Sequence, residues 1–314
     1  MKILAIVLNY KTPDMTLDAV RAAQKALASI RGGYRIDVVD NDSGDGSHEQ
    51  LLEACAAWDD VEYLQTGHNG GFGSGNNYAI RRALESDDPP EFIYILNSDA
   101  FPAEDAVEEL LAFLESHSHV GIAGSAIHGV DGEPHLTAFR FPSFTSEVLG
   151  GFQLGALQRL LPEREVPIQP MPKRTQRVDW LAGASMMIRR EVLEQVGLFD
   201  ETFFLYFEET DLCRRASLRG WSCWYVVESQ VAHIGHGSTG LKDKSKPMPK
   251  YWFDSRRHYF RKNHGRAYTW AANTAHAIGL ATFKARSGIQ GKPDHNPSGF
   301  WSDFVRYNFV ENPP

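Results

Sequence analysis

An α/β domain on a mostly parallel central sheet, with helices on both faces and a helical extension at the C-terminus, is the fold class that this sequence predicts. Three observations predict it. Apolar strand-like runs and helix-period segments take turns from Lys2 to Ala126. The run from Lys2 to Leu8 is compact and apolar instead of alternating, as a strand buried on both faces requires. The element lengths suit a parallel sheet covered on both sides.

In order, Lys2 to Leu8 predicts the first strand, and Val20, Ala23, Leu27 and Ile30 recur at helical spacing. Tyr34 to Val39 is a second strand. Ser47, with Gln50 three residues later, reads as a capping box opening a helix. Val61 to Leu64 is a third strand, and Asn76 to Leu84 begins a third helix. Phe92 to Leu96 is a fourth strand, a helix runs over about Ala103 to Leu114, and Val120 to Ala126 is a fifth strand. From Phe139 to Arg177 the pattern weakens among five prolines and reads as an irregular excursion. Regular structure resumes at Val178, with another strand-like run over Cys223 to Val227. Gly235 to Lys250 is rich in Gly, Lys, Ser and Pro and reads as a mobile loop. The remainder reads as helical, with a loose tail after Gly288.

Composition narrows the function. Hydrophobic residues are 42% and charged residues 23%, ordinary for a folded globular chain. A formal net charge of −8 argues against nucleic acid as a partner. The three cysteines, Cys55, Cys213 and Cys223, are odd in number and widely spaced, which points to reduced thiols and a cytoplasmic setting. No apolar stretch reaches the roughly 20 residues needed to cross a bilayer. Any membrane contact is then peripheral, at the inner face of the cytoplasmic membrane.

In sheets of this kind ligands bind beyond the carboxyl ends of the strands. The first strand ends in Asn9-Tyr10 and the second in Asp40-Asn41-Asp42. Tyr10 can stack on a base, and a strand-end carboxylate such as Asp40 can accept from a base imide or ribose hydroxyls. Asn41, Asp42 and Asp45 are better read as turn and cap residues. The third strand leads into HNGGFGSGNN (His68 to Asn77), a glycine-rich entry to a helix that suits an anionic or polar ligand and equally a tight turn. Its glycine spacing matches no dinucleotide or triphosphate fingerprint. The fourth strand ends in Asn97-Ser98-Asp99, where Asp99 can hold Mg²⁺ or Mn²⁺ against a diphosphate or cap the following helix. Gly183 and Ala184 allow close approach of a ligand or of another backbone. An aromatic run, Phe203 to Phe207, precedes Glu208, Glu209 and Asp211. Apolar surroundings would raise such a carboxyl toward use as a base, while a helix N-terminus would also attract acids. His233 and His236 stand beside the later glycine-rich loop, where an imidazole can join Asp99 around Mn²⁺ or serve structure alone.

Together these segments resemble the inverting glycosyltransferases of family 2, especially the rhamnosyltransferase-like branch. The landmarks LNY, VVDNDSGDGS, HNGGFGSGNN, LNSDA, WLAGASMMIRREVLEQVGLFDETFFLYFEETDLCRR and VAHIGHGST fall in order over about Ile3 to Gly265. The resemblance implies a GT-A catalytic domain over 1–240. Its nucleotide-sugar half is about 1–127 and its acceptor half about 128–240; a mobile loop and helical extension follow over 241–314. It implies donor binding by Asn9, Tyr10, Asp40, Asn69, Gly71, Asn77, Asn97, Ser98 and Gly183. Asp99 and His233 would hold Mn²⁺ or Mg²⁺. Glu209 would act as base beside Glu208, with Asp211, Trp180 and His236 toward the acceptor. Asn97 replaces the first acid of the family's Asp-x-Asp motif and weakens the metal site by one charge.

The activity so implied is inverting transfer of a hexose, L-rhamnose from dTDP-L-rhamnose in the first instance, to a hydroxyl of a saccharide or lipid-linked saccharide. UDP- or GDP-sugars are the alternative donors, and a bacterial surface-polysaccharide pathway is the expected setting. Lys242, Lys244 and Lys246 would assist a closing loop or simply be solvated. A nucleotidyltransferase would carry an arginine-containing glycine loop where Asn9 to Pro13 stand. A non-catalytic sugar-nucleotide binder would need no Glu208-Glu209 pair. In Tyr251 to Lys262 the seven-residue spacings Trp252/Tyr259 and Phe253/Phe260 put aromatics on one helix face. That face either lies on an anionic membrane or, as preferred, packs inside the protein. A homodimer is compatible with the sequence.

Overall fold

The computed structural model describes residues 1–235, 245–291 and 293–311. His236, Lys242 and Lys244 therefore lie outside the described residues. The chain groups into two compact units, one of Met1–Phe139, Pro170–Phe204 and Glu208–Thr239, the other of Arg140–Gln169, Leu205–Phe207 and Gly240–Pro314.

The first unit opens with β1 (Ile3–Asn9), α1 (Pro13–Leu27), β2 (Tyr34–Asp40), α2 (Ser47–Cys55), β3 (Val61–Gln65), α3 (Phe72–Leu84) and β4 (Phe92–Asn97). There follow β5 (Ala100–Pro102), α4 (Ala106–Ser116), β6 (Val120–His128) and β7 (Ala138–Phe139). After the second unit's α5 (Phe144–Phe152) and α6 (Gly155–Leu160) come β8 (Gln176–Val178), β9 (Trp180–Leu181), β10 (Ser185–Arg189), α7 (Arg190–Val196), α8 (Glu208–Leu218) and β11 (Ser222–His233). The sheet runs β3-β2-β1-β4-β10-β6-β11-β5, with β8 beside β11. β3, β2, β1 and β4 are mutually parallel, and β6 is parallel to β11. β10 runs antiparallel between β4 and β6. Side chains of β1 alternate between two covered faces: Ile3, Ala5 and Val7 join one core with Val20, Ala23 and Leu110, so the strand needs apolar residues at every position.

One rim collects the carboxyl ends of the parallel strands and, because β10 is antiparallel, its amino end. Register fixes this: Asn9 lies opposite Asp40, Leu8 opposite Asn97, Ser185 opposite Leu96, and His233 opposite Ala100.

Three local expectations are corrected. Ser47 forms no capping box: α2 is capped by Gly46 at φ +93, and Ser47 instead donates to Asp45. α3 starts at Phe72, earlier than Asn76, because Gly71 adopts φ +89 and turns the chain directly into the helix. The proline-rich excursion contains α5, which has a true capping box between Ser143 and Ser146, and α6.

In the second unit, α9 (Lys250–His264), α10 (Arg266–Gln290) and α11 (Phe300–Val305) follow; the stretch expected as a loose tail thus carries a helix. Phe253, Tyr259 and Phe260 are fully buried, and Phe253 packs on Phe300 and Phe304. The aromatic face of α9 is spent on packing and is not available to a membrane. A buried polar knot ties the unit: Arg256 reaches Glu147 at 2.5 Å and Asn273 at 2.6 Å, and His276 meets Glu147 at 2.9 Å.

Candidate active site

At the joined ends of β1 and β2, Asn9 donates to Asp40 at 2.7 Å. The Asp40 carboxylate also accepts from the Ser43 hydroxyl at 2.5 Å and Gln65 at 2.9 Å. Asn9 in turn accepts from Thr16 at 2.8 Å and the Thr12 amide at 3.2 Å. Asn9 and Asp40 are both fully buried. Within the protein they act together as the clasp that shapes the loop carrying Tyr10, whose ring lies 5.1 Å from Lys11 Nζ.

The glycine-rich entry to α3 is packed with little room to spare. A Cβ at Gly71 would sit 1.7 Å from the Phe204 carbonyl, and Phe72 N–H donates to that carbonyl at 3.1 Å. Asn69 braces the turn, its side-chain oxygen accepting from Gly71 N–H and Asn41, each at 3.0 Å. Asn77 is wholly committed inside the fold: it donates to Phe199 O and Glu201 and accepts from Phe199 N. Its contribution is to hold the loop before the acidic helix.

Beyond β4, Ser98 lies 3.2 Å from Thr12 by their hydroxyls, and the Asn97 amide donates to Ala184 O at 3.0 Å. Asp99 does not cap the next helix, where Asp105 holds that position. Its Oδ1 stands 2.9 Å from His233 Nε2, and its Oδ2 accepts from Gly235 N–H at 3.1 Å. The latter bond fixes the carboxylate's orientation. Among the described residues no group of three His, Cys, Asp or Glu is placed to hold a metal. The 2.9 Å between Asp99 Oδ1 and His233 Nε2 is compatible with two donors in one metal shell. Neighbouring ligands in one shell, bonded at a little over 2 Å, stand about 3 Å apart.

Across the rim, at the entry to β10, Gly183 N–H donates to Glu209 Oε1 at 3.2 Å. A Cβ at Gly183 would meet Phe72 at 2.9 Å and Glu209 at 3.1 Å. The absence of a side chain at Gly183 leaves room for the carboxylate against this backbone. Burial pushes the Glu209 carboxyl above the ordinary glutamate range, and its own amide and that of Gly183 offset only part of it. Glu208, next to it, is buried in the first turn of α8. Asp211 serves structure: it pairs at 2.7 Å with Arg215, which also holds the carbonyls of Val196 and Leu198. Trp180 stacks on Phe139, centroids 4.1 Å apart and planes at 14°.

The rim therefore gathers Asp40, Asp99, His233 and Glu209 from four distant chain segments. His135 escapes the sequence reading: its ring meets that of His233 edge-on at 5.8 Å. It sits in the loop after β6, positioned by its backbone amide on Ile127. No motif or spacing marks it.

Comparison with known proteins identifies the family and the fold. The family model described as "Glycosyltransferase like family 2" matches residues 2–263. An N-acetylglucosaminyl-diphospho-decaprenol L-rhamnosyltransferase of Mycobacterium tuberculosis is 29% identical over 212 residues, 65% of this chain and 67% of that protein. A low-salt glycan biosynthesis hexosyltransferase of Haloferax volcanii is 30% identical over 258 residues, 82% of this chain and 74% of that one. The rhamnosyltransferase WbbL of Escherichia coli is 27% identical over 205 residues, 65% of this chain and 74% of that protein. Among solved structures, the mannosyltransferase PcManGT of Pyrobaculum calidifontis, in complex with GDP-Man and Mn²⁺, superposes with TM-score 0.58 at 14% identity. It covers 92% of this chain and 75% of that one. GalNAc-T7 with UDP, GalNAc and Mn²⁺ gives TM-score 0.58 at 14% identity, covering 98% and 56%. The fold is that of the GT-A glycosyltransferases.

Proposed function

The chain belongs to the glycosyltransferase-like family 2, and from that premise we propose an inverting, metal-dependent transfer of L-rhamnose from dTDP-L-rhamnose to an acceptor hydroxyl. The acceptor is a saccharide carried on a lipid diphosphate, in the manner of the decaprenol-linked acceptor named for the mycobacterial relative, and the setting is surface-polysaccharide synthesis. One observation carries the reading. A glutamate with a raised pKa, Glu209, faces the same rim as the paired Asp99 and His233.

In this reading Glu209 takes the proton of the acceptor hydroxyl while that oxygen bonds to the anomeric carbon. The bond from that carbon to the diphosphate oxygen breaks in the same step, and the nucleoside diphosphate leaves with the electron pair. Bound Mn²⁺ or Mg²⁺ would neutralise charge on the departing diphosphate. Asp99 and His233 would hold the ion, Asp99 oriented by Gly235 N–H. The Asn9–Asp40 clasp shapes the loop on which Tyr10 meets the base, and Gly183 fixes the angle of Glu209. Trp180, backed by Phe139, offers an aromatic platform for an acceptor sugar.

Donor hydrolysis and thermal shift across dTDP-, UDP- and GDP-sugars, with and without Mn²⁺, test this. The expected result is metal-dependent turnover greatest with dTDP-L-rhamnose and a product of inverted anomeric configuration. Preference for a UDP- or GDP-sugar would overturn the donor, and a retained configuration would overturn the single displacement.

A further inference from the structure

Helix α10 buries a mixed face and exposes large apolar side chains. A surface helix normally buries an apolar stripe and shows polar residues to water. Here Thr269, Asn273 and Ser287 are buried together with Ala272, Gly279 and Leu280. Trp270, Ile278 and Ile289 are instead 56%, 55% and 88% exposed. At helical spacing these three share one outward stripe with Thr274, Ala281 and Ala285. It is about 100° wide and about 29 Å long. The stripe has no charged side chain, and α10 as a whole contains no acid. An exposed apolar strip of this length marks a surface that something covers.

Charge says what covers it. The unit carrying α10 has 16 Lys and Arg against 8 Asp and Glu, while the other unit has 16 against 32. The net −8 of the whole chain thus conceals a strongly basic portion. Arg266 and Lys284 flank the apolar stripe on one side.

We propose that the outward face of α10 docks on an anionic lipid surface, the helix lying in the headgroup plane with Trp270, Ile278 and Ile289 inserted. Basic side chains are drawn to such a surface, and a tryptophan suits the boundary between headgroups and acyl chains. Two copies meeting through this face would bring two basic units together, which disfavours a dimer there. Insertion is shallow, for among the described residues no helix is long and apolar enough to cross a membrane. The inference rests on α10 and charge alone, independent of donor and mechanism.

The test is co-flotation of the full chain with vesicles of phosphatidylglycerol or of phosphatidylcholine. Wild type should float with phosphatidylglycerol at low salt, much less with phosphatidylcholine, and be released by high salt. The combined variant Trp270→Ser, Ile278→Ser, Ile289→Ser should lose binding by about tenfold or more, with unchanged melting temperature and unchanged turnover of a water-soluble acceptor. Failure of wild type to bind phosphatidylglycerol overturns the proposal, as does a variant that binds as well as wild type. Self-association through this face, abolished by the same variant without any lipid requirement, would assign the surface to a second copy and equally overturn it.

Discussion

A buried glutamate in one unit and a half-buried one in the other show how partners decide what a carboxylate is for. Glu147 on α5 is opposed by burial, but the charges and hydrogen bonds of Arg256 and His276 prevail and hold it at about 2. Glu209 on α8 has amide donors alone, so burial prevails and its pKa rises. The first is an ionised strut that fastens α5, α9 and α10. The second is held short of full stabilisation as an anion, the condition for accepting a proton.

Removing each carboxylate should therefore break different things. Glu209→Gln should lower turnover by about 10²–10⁴-fold while melting temperature and donor affinity stay unchanged, read by steady-state kinetics and calorimetry. Glu147→Gln should cost about 3–5 kcal/mol of stability, since it leaves Arg256 buried without its counter-ion. Denaturant unfolding would read that loss, while the protein that remains folded keeps its turnover per molecule.

The pH dependence sharpens the contrast. The Glu147 pKa falls from its ordinary 4.5 to about 2 on folding, so its contribution is present above the unfolded value and lost as pH drops from 4.5 toward 2. The loss amounts to about 3 kcal/mol and should be absent from the Glu147→Gln variant in acid titrations of unfolding. A smaller effect is expected at Gly183→Ala, whose methyl would crowd Glu209 and Phe72. Moving the carboxylate by a few tenths of an ångström should cost about tenfold in turnover with little change in KM.

Much of this was legible beforehand. Strand ends are easily read, because an apolar run that stops at Asn9, Asp40 or Asn97 places that residue on a known edge of a parallel sheet. The pairing of Asp99 with His233 is expected from a strand-end carboxylate and an imidazole beside a glycine-rich loop, although the strand carrying His233 runs further than Val227. What the linear pattern could not show is how side-chain bonding is shared out. Asn77 sits in a polar ligand-like motif yet gives all its amide bonds to Phe199 and Glu201. His135 has no neighbour in sequence that reveals His233. The aromatic periodicity of α9 is the same whether it faces lipid or a core. In α10 the buried Asn273 and half-buried His276 interrupt the apolar run, so its outward stripe was invisible until burial was known.

The dependence of kcat/KM on pH, in wild type and in Glu209→Gln, tests the central claim most directly. Wild type should gain activity as pH rises through a single ionisation above the ordinary glutamate range, and the variant should be slow at every pH without that ionisation. A variant that keeps wild-type turnover, or that shows the same ionisation, would remove Glu209 from the reaction.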